Sequence, residues 1–153
     1  MLDYIVKNGA TSIILRAKLY DELSTTGEGL AGLTSSSAGL IVATMADNEA
    51  TTTAYTQSGS TIETISTLGT YAAPTATKCR FKEVDSTNHP GEYEVHLADA
   101  RYAVSSAKEL VVTISGATDL VQKRIRIQLD TNIISDVVSD LSNGTDGLGA
   151  LKL

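Results

Sequence analysis

Four stretches of the chain alternate apolar and polar residues with a period of two, and this rhythm most constrains what it can fold into. Ser12-Ile13-Ile14-Leu15-Arg16-Ala17-Lys18-Leu19-Tyr20 places Ile13, Leu15, Ala17 and Leu19 on one face, with Ser12, Arg16 and Lys18 on the other. The same alternation recurs in Glu92-Tyr93-Glu94-Val95-His96-Leu97, Leu110-Val111-Val112-Thr113-Ile114-Ser115 and Arg124-Ile125-Arg126-Ile127-Gln128-Leu129. Successive side chains of a strand point to opposite faces, so each run predicts a strand with one buried side. Gly39-Leu40-Ile41-Val42-Ala43-Thr44 is more continuously apolar, and Lys78-Cys79-Arg80-Phe81-Lys82 alternates with three cations on one side. Residues 52–56 and 61–66, rich in β-branched Thr, add two weaker strands.

Turn-forming clusters separate the runs: Asn8-Gly9, Ser24-Thr25-Thr26-Gly27-Glu28-Gly29, Ser35-Ser36-Ser37, Ser58-Gly59-Ser60, His89-Pro90-Gly91 and Ser115-Gly116. Ala98-Asp99-Ala100-Arg101-Tyr102-Ala103 breaks the pattern with good helix formers and predicts one helical turn at the end of a sandwich. The fold class expected is all-β, an antiparallel Ig-like β-sandwich of seven to eight strands with a short C-terminal helical tail. The two cysteines packed on a tryptophan that mark antibody domains are missing, since the chain has one Cys and no Trp. In-phase positions of the clearest strands predict a core of Tyr93, Val95, Leu110, Val112, Ile114, Ile125 and Ile127.

A chain of 153 residues is long enough for one domain to bury a sizeable core. With 42% hydrophobic and 20% charged residues it is too apolar overall to be disordered. A lone Cys79 and two histidines fall short of a disulfide framework or a closed Cys/His zinc site. No apolar run approaches a membrane span, and Met1-Leu2-Asp3-Tyr4 lacks the regions of a signal peptide, so a soluble chain with no membrane partner is expected.

After Asp130 the period changes, which divides the chain into a β-sandwich domain over residues 1–130 and a helical linker or the start of a stalk over 131–153. Ile134, Val137, Val138 and Leu141 share one helical face, and Asn143-Gly144-Thr145-Asp146-Gly147 stops that helix. Ile134, Val138, Leu141, Leu148 and Leu151 follow spacings of 4, 3, 7 and 3, close to a coiled-coil seam, and form the expected oligomer interface. Helices this short need partners to be stable in water.

The net charge of −6 and pI near 4.8 argue against a nucleic-acid partner, because phosphate neutralisation needs clustered Lys and Arg. Residues 19–77 hold six acids and no base, while the other 12 acids match the 12 bases. Such a segment is either a solvated acidic face or a surface that meets a basic partner. Lys78, Arg80 and Lys82, with Lys123, Arg124 and Arg126, form a positive partner patch if their strands are neighbours, and otherwise a solvated or charge-protected face.

Chemistry-bearing residues are sparse. His89 lies in a turn, and His96 is expected on the outward face of its strand beside Glu94. Cys79 shares a face with Phe81, which reads as a small core residue, although its cationic neighbours also suit a lowered thiol pKa. Glu83 and Asp85 are close in sequence, but no second carboxylate pair recurs at a glycosidase-like spacing. The glycines at 27, 29 and 32 lack the following Lys of a phosphate loop. No catalytic, cofactor-binding or metal-ligating set emerges, and no cofactor is expected.

Two strings carry a resemblance. Ser24-Thr25-Thr26-Gly27, Gly32-Leu33-Thr34 and Ser37-Ala38-Gly39-Leu40 form the first, and residues 81–95, running Phe-Lys-Glu-Val-Asp-Ser-Thr-Asn-His-Pro-Gly-Glu-Tyr-Glu-Val, form the second. Together with Leu97-Ala98-Asp99-Ala100 and Ile125-Arg126-Ile127-Gln128-Leu129, the stretch from about residue 4 to 130 resembles the N-terminal β-sandwich of tailed-phage baseplate upper proteins and tail-fibre proteins. Residues 143–153 are similar to the linker preceding the stalk of such proteins. Glu92 departs from the more usual apolar residue after the Gly.

The resemblance implies a non-enzymatic virion protein in the phage tail or capsid surface, anchoring a tail fibre or baseplate appendage by oligomeric packing. Its implied partners are two further copies in a homotrimer and other virion proteins, with no receptor role carried over. Tyr93 and Val95 are expected in the core, Pro90-Gly91 in a tight turn, and Glu83, Asp85 and Glu94 in solvent. Other readings are a capsid decoration or head-fibre protein and a carbohydrate-binding module, the last disfavoured by scattered tyrosines and absent Trp.

Overall fold

A computed structural model describes residues 2–130 of the chain. Nine strands follow in order: β1 (Tyr4–Lys7), β2 (Ile14–Lys18), β3 (Ile41–Ala46), β4 (Thr53–Thr56), β5 (Ile62–Thr64), β6 (Cys79–Asp85), β7 (His89–His96), β8 (Glu109–Ser115) and β9 (Lys123–Asp130). Asp99–Tyr102 forms the expected helical turn, of 3-10 type. The strands build a five-stranded sheet in the order β1-β9-β8-β3-β4 and a four-stranded sheet in the order β2-β7-β6-β5.

The fold is all-β, and all eight strands read from the sequence are present. β1 is the ninth, and its four residues are too short to display a clear period. Pairing is not wholly antiparallel, which corrects the expectation: β1 runs parallel to β9, and β5 runs parallel to β6. Parallel neighbours need a long crossover, and residues 65–78 supply one between β5 and β6. The expected helical tail, with Ile134, Val138, Leu141, Leu148 and Leu151, lies outside the described residues.

The two sheets share one core. Leu15, Phe81, Tyr93 and Val95 enter it from the four-stranded sheet, and Val42, Leu110, Val112, Ile114, Ile125 and Ile127 from the five-stranded one. All seven core residues expected from the alternation are at most 1% exposed. The Phe81 and Tyr93 rings stack at 4.8 Å between centroids. Cys79 lies in the same cluster.

Hydroxyl groups close the gaps where the sheet edges meet. The Tyr4 hydroxyl bonds to both backbone polar groups of Arg16 on edge strand β2. At the other seam, the Thr61 hydroxyl accepts the Thr56 N–H (2.7 Å) and donates to the Thr56 carbonyl (3.2 Å). Each saturates edge groups that would otherwise template pairing with another chain.

The β6–β7 connection also differs from the expectation. The turn is residues 86–88, while Pro90 and Gly91 belong to β7. Asp85 sets this turn because its Oδ1 accepts the N–H groups of Thr87 and Asn88, and its Oδ2 accepts the Asn88 side-chain amide. A side-chain cap thus replaces the proline turn. The same bonds, those of Asn88 foremost, lower the Asp85 pKa to about 2.

Candidate functional site

The two strings that carry the resemblance meet at one corner. Glu83 on β6 accepts the Gly32 N–H (2.8 Å) through one oxygen and the Gly91 N–H (3.2 Å) through the other. The Tyr93 hydroxyl donates to the Leu30 carbonyl (2.6 Å) and accepts the Leu33 N–H (3.0 Å). Gly29 and Gly91 touch through their backbones: a Cβ on Gly29 would sit 2.1 Å from the Pro90 carbonyl oxygen, and one on Gly91 only 2.5 Å from the Gly29 Cα. Gly91 has φ +82°, which favours glycine independently of space. Residues 29–33 are therefore pinned to β6 and β7 by residues of the second string. A groove of about 420 Å³ between Gly32–Ser35 and Lys82–Ser86 lies beside this junction.

Glu94 and His96 do not face solvent. Both are fully buried, contrary to the expectation, although they do lie on the side of β7 away from the shared core. The physical reason is non-local, because the crossover of residues 65–78 passes over this side. Glu94 receives Arg16 Nε and Nη2 on Oε2 (3.1 and 2.9 Å), the Gly69 N–H shared between both oxygens (3.1 Å), and His96 Nε2 on Oε1 (2.9 Å). The Ala72 N–H donates to His96 Nδ1 at 3.3 Å, which places the imidazole proton on Nε2. Tyr71 packs on the His96 ring and donates its hydroxyl proton to the Leu97 carbonyl.

Burial is the largest influence on Glu94 and acts to raise its pKa. The bonds from His96, Gly69 and Arg16 together outweigh it and hold the group below the ordinary value. Nδ1 of His96 accepts from the crossover and Nε2 donates to Glu94, so neither ring nitrogen offers a free lone pair.

The cations of the expected partner patch divide between the two sheets, so they form no single stripe. β6 carries Arg80 and Lys82, with Lys78 just before it, whereas Lys123, Arg124 and Arg126 lie on β9 of the other sheet. Lys78 and Arg80 pair with Glu63 at 3.7 and 3.2 Å, and Arg80 also donates to the carbonyls of Ala73 and Thr64. Arg126 grips Glu109 with two bonds of 3.0 and 2.7 Å. Lys82 lines the groove beside residues 32–35, and Arg124 lines a shallow concavity of about 360 Å³ with Met45 and Val111.

Remaining candidates are placed as follows. Cys79 is buried, and burial foremost pushes its thiol up to about 12, which leaves it a core residue. His89 is exposed at the start of β7. Glu83 serves the corner described above and Asp85 caps its turn. Of the six tyrosines only Tyr20 is exposed. Among the described residues no His, Cys, Asp or Glu side chains gather into a metal-binding group, and no helix is long and apolar enough to cross a membrane.

A second polar network joins the 3-10 turn to the five-stranded sheet. Arg101 places both terminal nitrogens on the Glu49 carboxylate (2.8 and 2.7 Å) and its Nε on the Thr44 hydroxyl (2.9 Å), while the Ala46 N–H also reaches Glu49 (2.7 Å). This set was not visible in the sequence. Its members are distant along the chain, and only the packing of the turn against β3 brings them together.

Comparison of the chain with family models, curated proteins and solved structures gives no match.

Proposed function

We propose that this chain is a non-enzymatic structural module of a tailed-phage virion, an Ig-like sandwich that anchors a tail fibre or baseplate appendage. The observation that carries this reading is the junction of the two resembling strings. Glu83 and Tyr93 from one hold Gly32 and Leu33 from the other, and Tyr93 and Gly91 also meet Leu30 and Gly29 just before them, so the resemblance falls on residues that specify a corner of the fold. Residues that specify a scaffold are what a shared architectural module has in common. The burial of Cys79 and the engagement of both His96 nitrogens support a role without turnover.

In this reading residues 131–153 assemble three copies through Ile134, Val138, Leu141, Leu148 and Leu151. Cryo-electron microscopy of intact particles tests it: density for the domain at the tail, in a small multiple of three or six copies, is the expected result. Hundreds of copies on the head would make it a capsid decoration protein instead. Turnover of cell-surface polysaccharide by the purified chain, abolished by Glu83→Gln or His96→Gln, would overturn the non-enzymatic reading.

A further inference from the structure

Beyond β2 the chain continues as a short three-stranded ladder outside the named sheets. Tyr20 bridges Gly29 on one side, and Asp21 bridges Leu120 on the other. The Val121 N–H donates to the Tyr20 carbonyl (3.0 Å), the Glu22 N–H to the Asp119 carbonyl (2.8 Å), and the Asp21 N–H to the Glu28 carbonyl (3.1 Å). With Asp21 opposite Leu120 in antiparallel register, Tyr20 stands opposite Val121 and Glu22 opposite Asp119. Directly opposed residues share a face. Leu120 is buried and marks the inner face, so Tyr20 and Val121 project outward, and Glu22 and Asp119 in the adjoining turns are exposed.

This corner exposes apolar surface: Tyr20 is 41%, Val121 43% and the adjoining Leu23 73% exposed. Around it stand Asp21, Glu22, Glu28 and Asp119, with the Lys18 ammonium 5.8 Å from the Tyr20 ring centroid. Glu49, Glu63, Glu94 and Glu109 are each paired with the chain's own Arg or Lys. Glu22, Glu28 and Asp119 have no ion-pair partner among the described residues.

We propose that this corner is a docking surface for a cationic segment of another protein that carries an apolar anchor residue. Apolar side chains at the centre with charge at the rim is the arrangement of a protein-binding patch. The sign of the rim selects a basic partner and repels anionic lipid or nucleic acid. Backbone bonds of the ladder hold the patch in place, so little ordering is needed on binding. The proposal goes beyond the virion reading and does not rest on it, because any assembly containing this chain presents the same surface.

The test is a pair of synthetic peptides of equal charge, Lys-Leu-Lys-Gly-Lys-Leu-Lys and its Leu-to-Ser counterpart, titrated into the full chain and followed by amide chemical shifts. The leucine peptide is expected to shift residues 20–23 and 119–121 saturably, and to bind at least about tenfold more tightly than the serine peptide. Raising the salt from about 0.05 to 0.3 M weakens that binding. Both Val121→Ser and the pair Glu22→Gln with Asp119→Asn lower the affinity about tenfold. Unchanged thermal melts of these surface variants separate lost docking from lost folding. No saturable shift at this corner, or equal binding of the two peptides, overturns the proposal. A concentration-dependent dimer mass abolished by Val121→Ser also overturns it, since the occupant is then a second copy.

Discussion

The Tyr4 hydroxyl lies 2.8 Å from both the amide nitrogen and the carbonyl oxygen of Arg16, accepting from the first and donating to the second. One side chain on β1 thereby satisfies both outward-facing polar groups at the middle of β2, where the two sheets would otherwise present an open edge. Strand edges left unpaired invite association with other chains, and covering them is a recurrent solution. Here the cover comes from a residue whose own strand pairs with the distant β9.

Tyr4→Phe removes both bonds while keeping the ring. The site is exposed, so water can replace the hydroxyl, and the expected loss in denaturant melts is modest at about 0.5–1.5 kcal/mol. Amide hydrogen exchange gives the sharper readout: Arg16 should exchange faster, while Leu15 and Ala17, which face β7 in the ladder, keep their protection. Equal loss at all three would mean that β2 as a whole has loosened.

Glu94→Gln should be costly despite its near-identical shape. The amide cannot accept every bond made by Arg16, Gly69 and His96, and its NH2 meets donors. Breaking a buried charged network of this kind costs about 2–5 kcal/mol. The crossover loses its anchor first, so exchange at Gly69 and Ala72 should rise well before that of core strands β8 and β9. Protection retained at both amides would show that the contacts of Tyr71, Arg80 and Glu63 suffice to hold residues 65–78.

Glu49 and Glu94 make stability fall in acid. A carboxylate whose folded pKa lies below its unfolded value contributes stability that is complete above the unfolded value and lost as pH falls through the folded one. The Arg101 hydrogen bonds are the chief cause holding Glu49 at about 2 against an ordinary 4.5, with burial opposing them. Glu94 is lowered as well. Unfolding free energy should therefore decline from about pH 5 downward through pH 2, with a shallower acid slope in Glu49→Gln. An unchanged slope would remove Glu49 from the acid limb.

Gly116→Ala should destabilise strongly, although the added group is one methyl. Gly116 has φ +83°, and a Cβ there would approach the Gly39 carbonyl oxygen to 2.3 Å. Gly39, also at positive φ, would meet the Gly116 carbonyl oxygen at 2.5 Å in the reverse case. Two backbones in contact cannot yield as a flexible side chain does, so the expected cost exceeds about 2 kcal/mol. Thermal melts in which Gly116→Ala matches the parent would show that this contact is dispensable.

Sequence alone determined eight of the nine strands and, where the alternation is clear, which face of each enters the core. A period of two is a local property, and Leu15, Tyr93, Val112 and Ile125 each follow from their immediate neighbours. The burial of Cys79 beside Phe81 and the helical turn at Asp99–Tyr102 were legible for the same reason. Alternation does not say what covers the far side of a sheet. His96 and Glu94 alternate correctly with the core residues of β7, yet they are buried because a crossover begun some 30 residues earlier lies on them. The division of the cations between β6 and β9 followed from sheet order, which individual strand patterns do not encode. Parallel pairing of β1 with β9 likewise joins the two ends of the described chain. Tertiary structure decided these features because hydrogen-bond partners such as Tyr4 with Arg16, or Arg101 with Glu49, become neighbours only after the strands on which the sequence is explicit have packed.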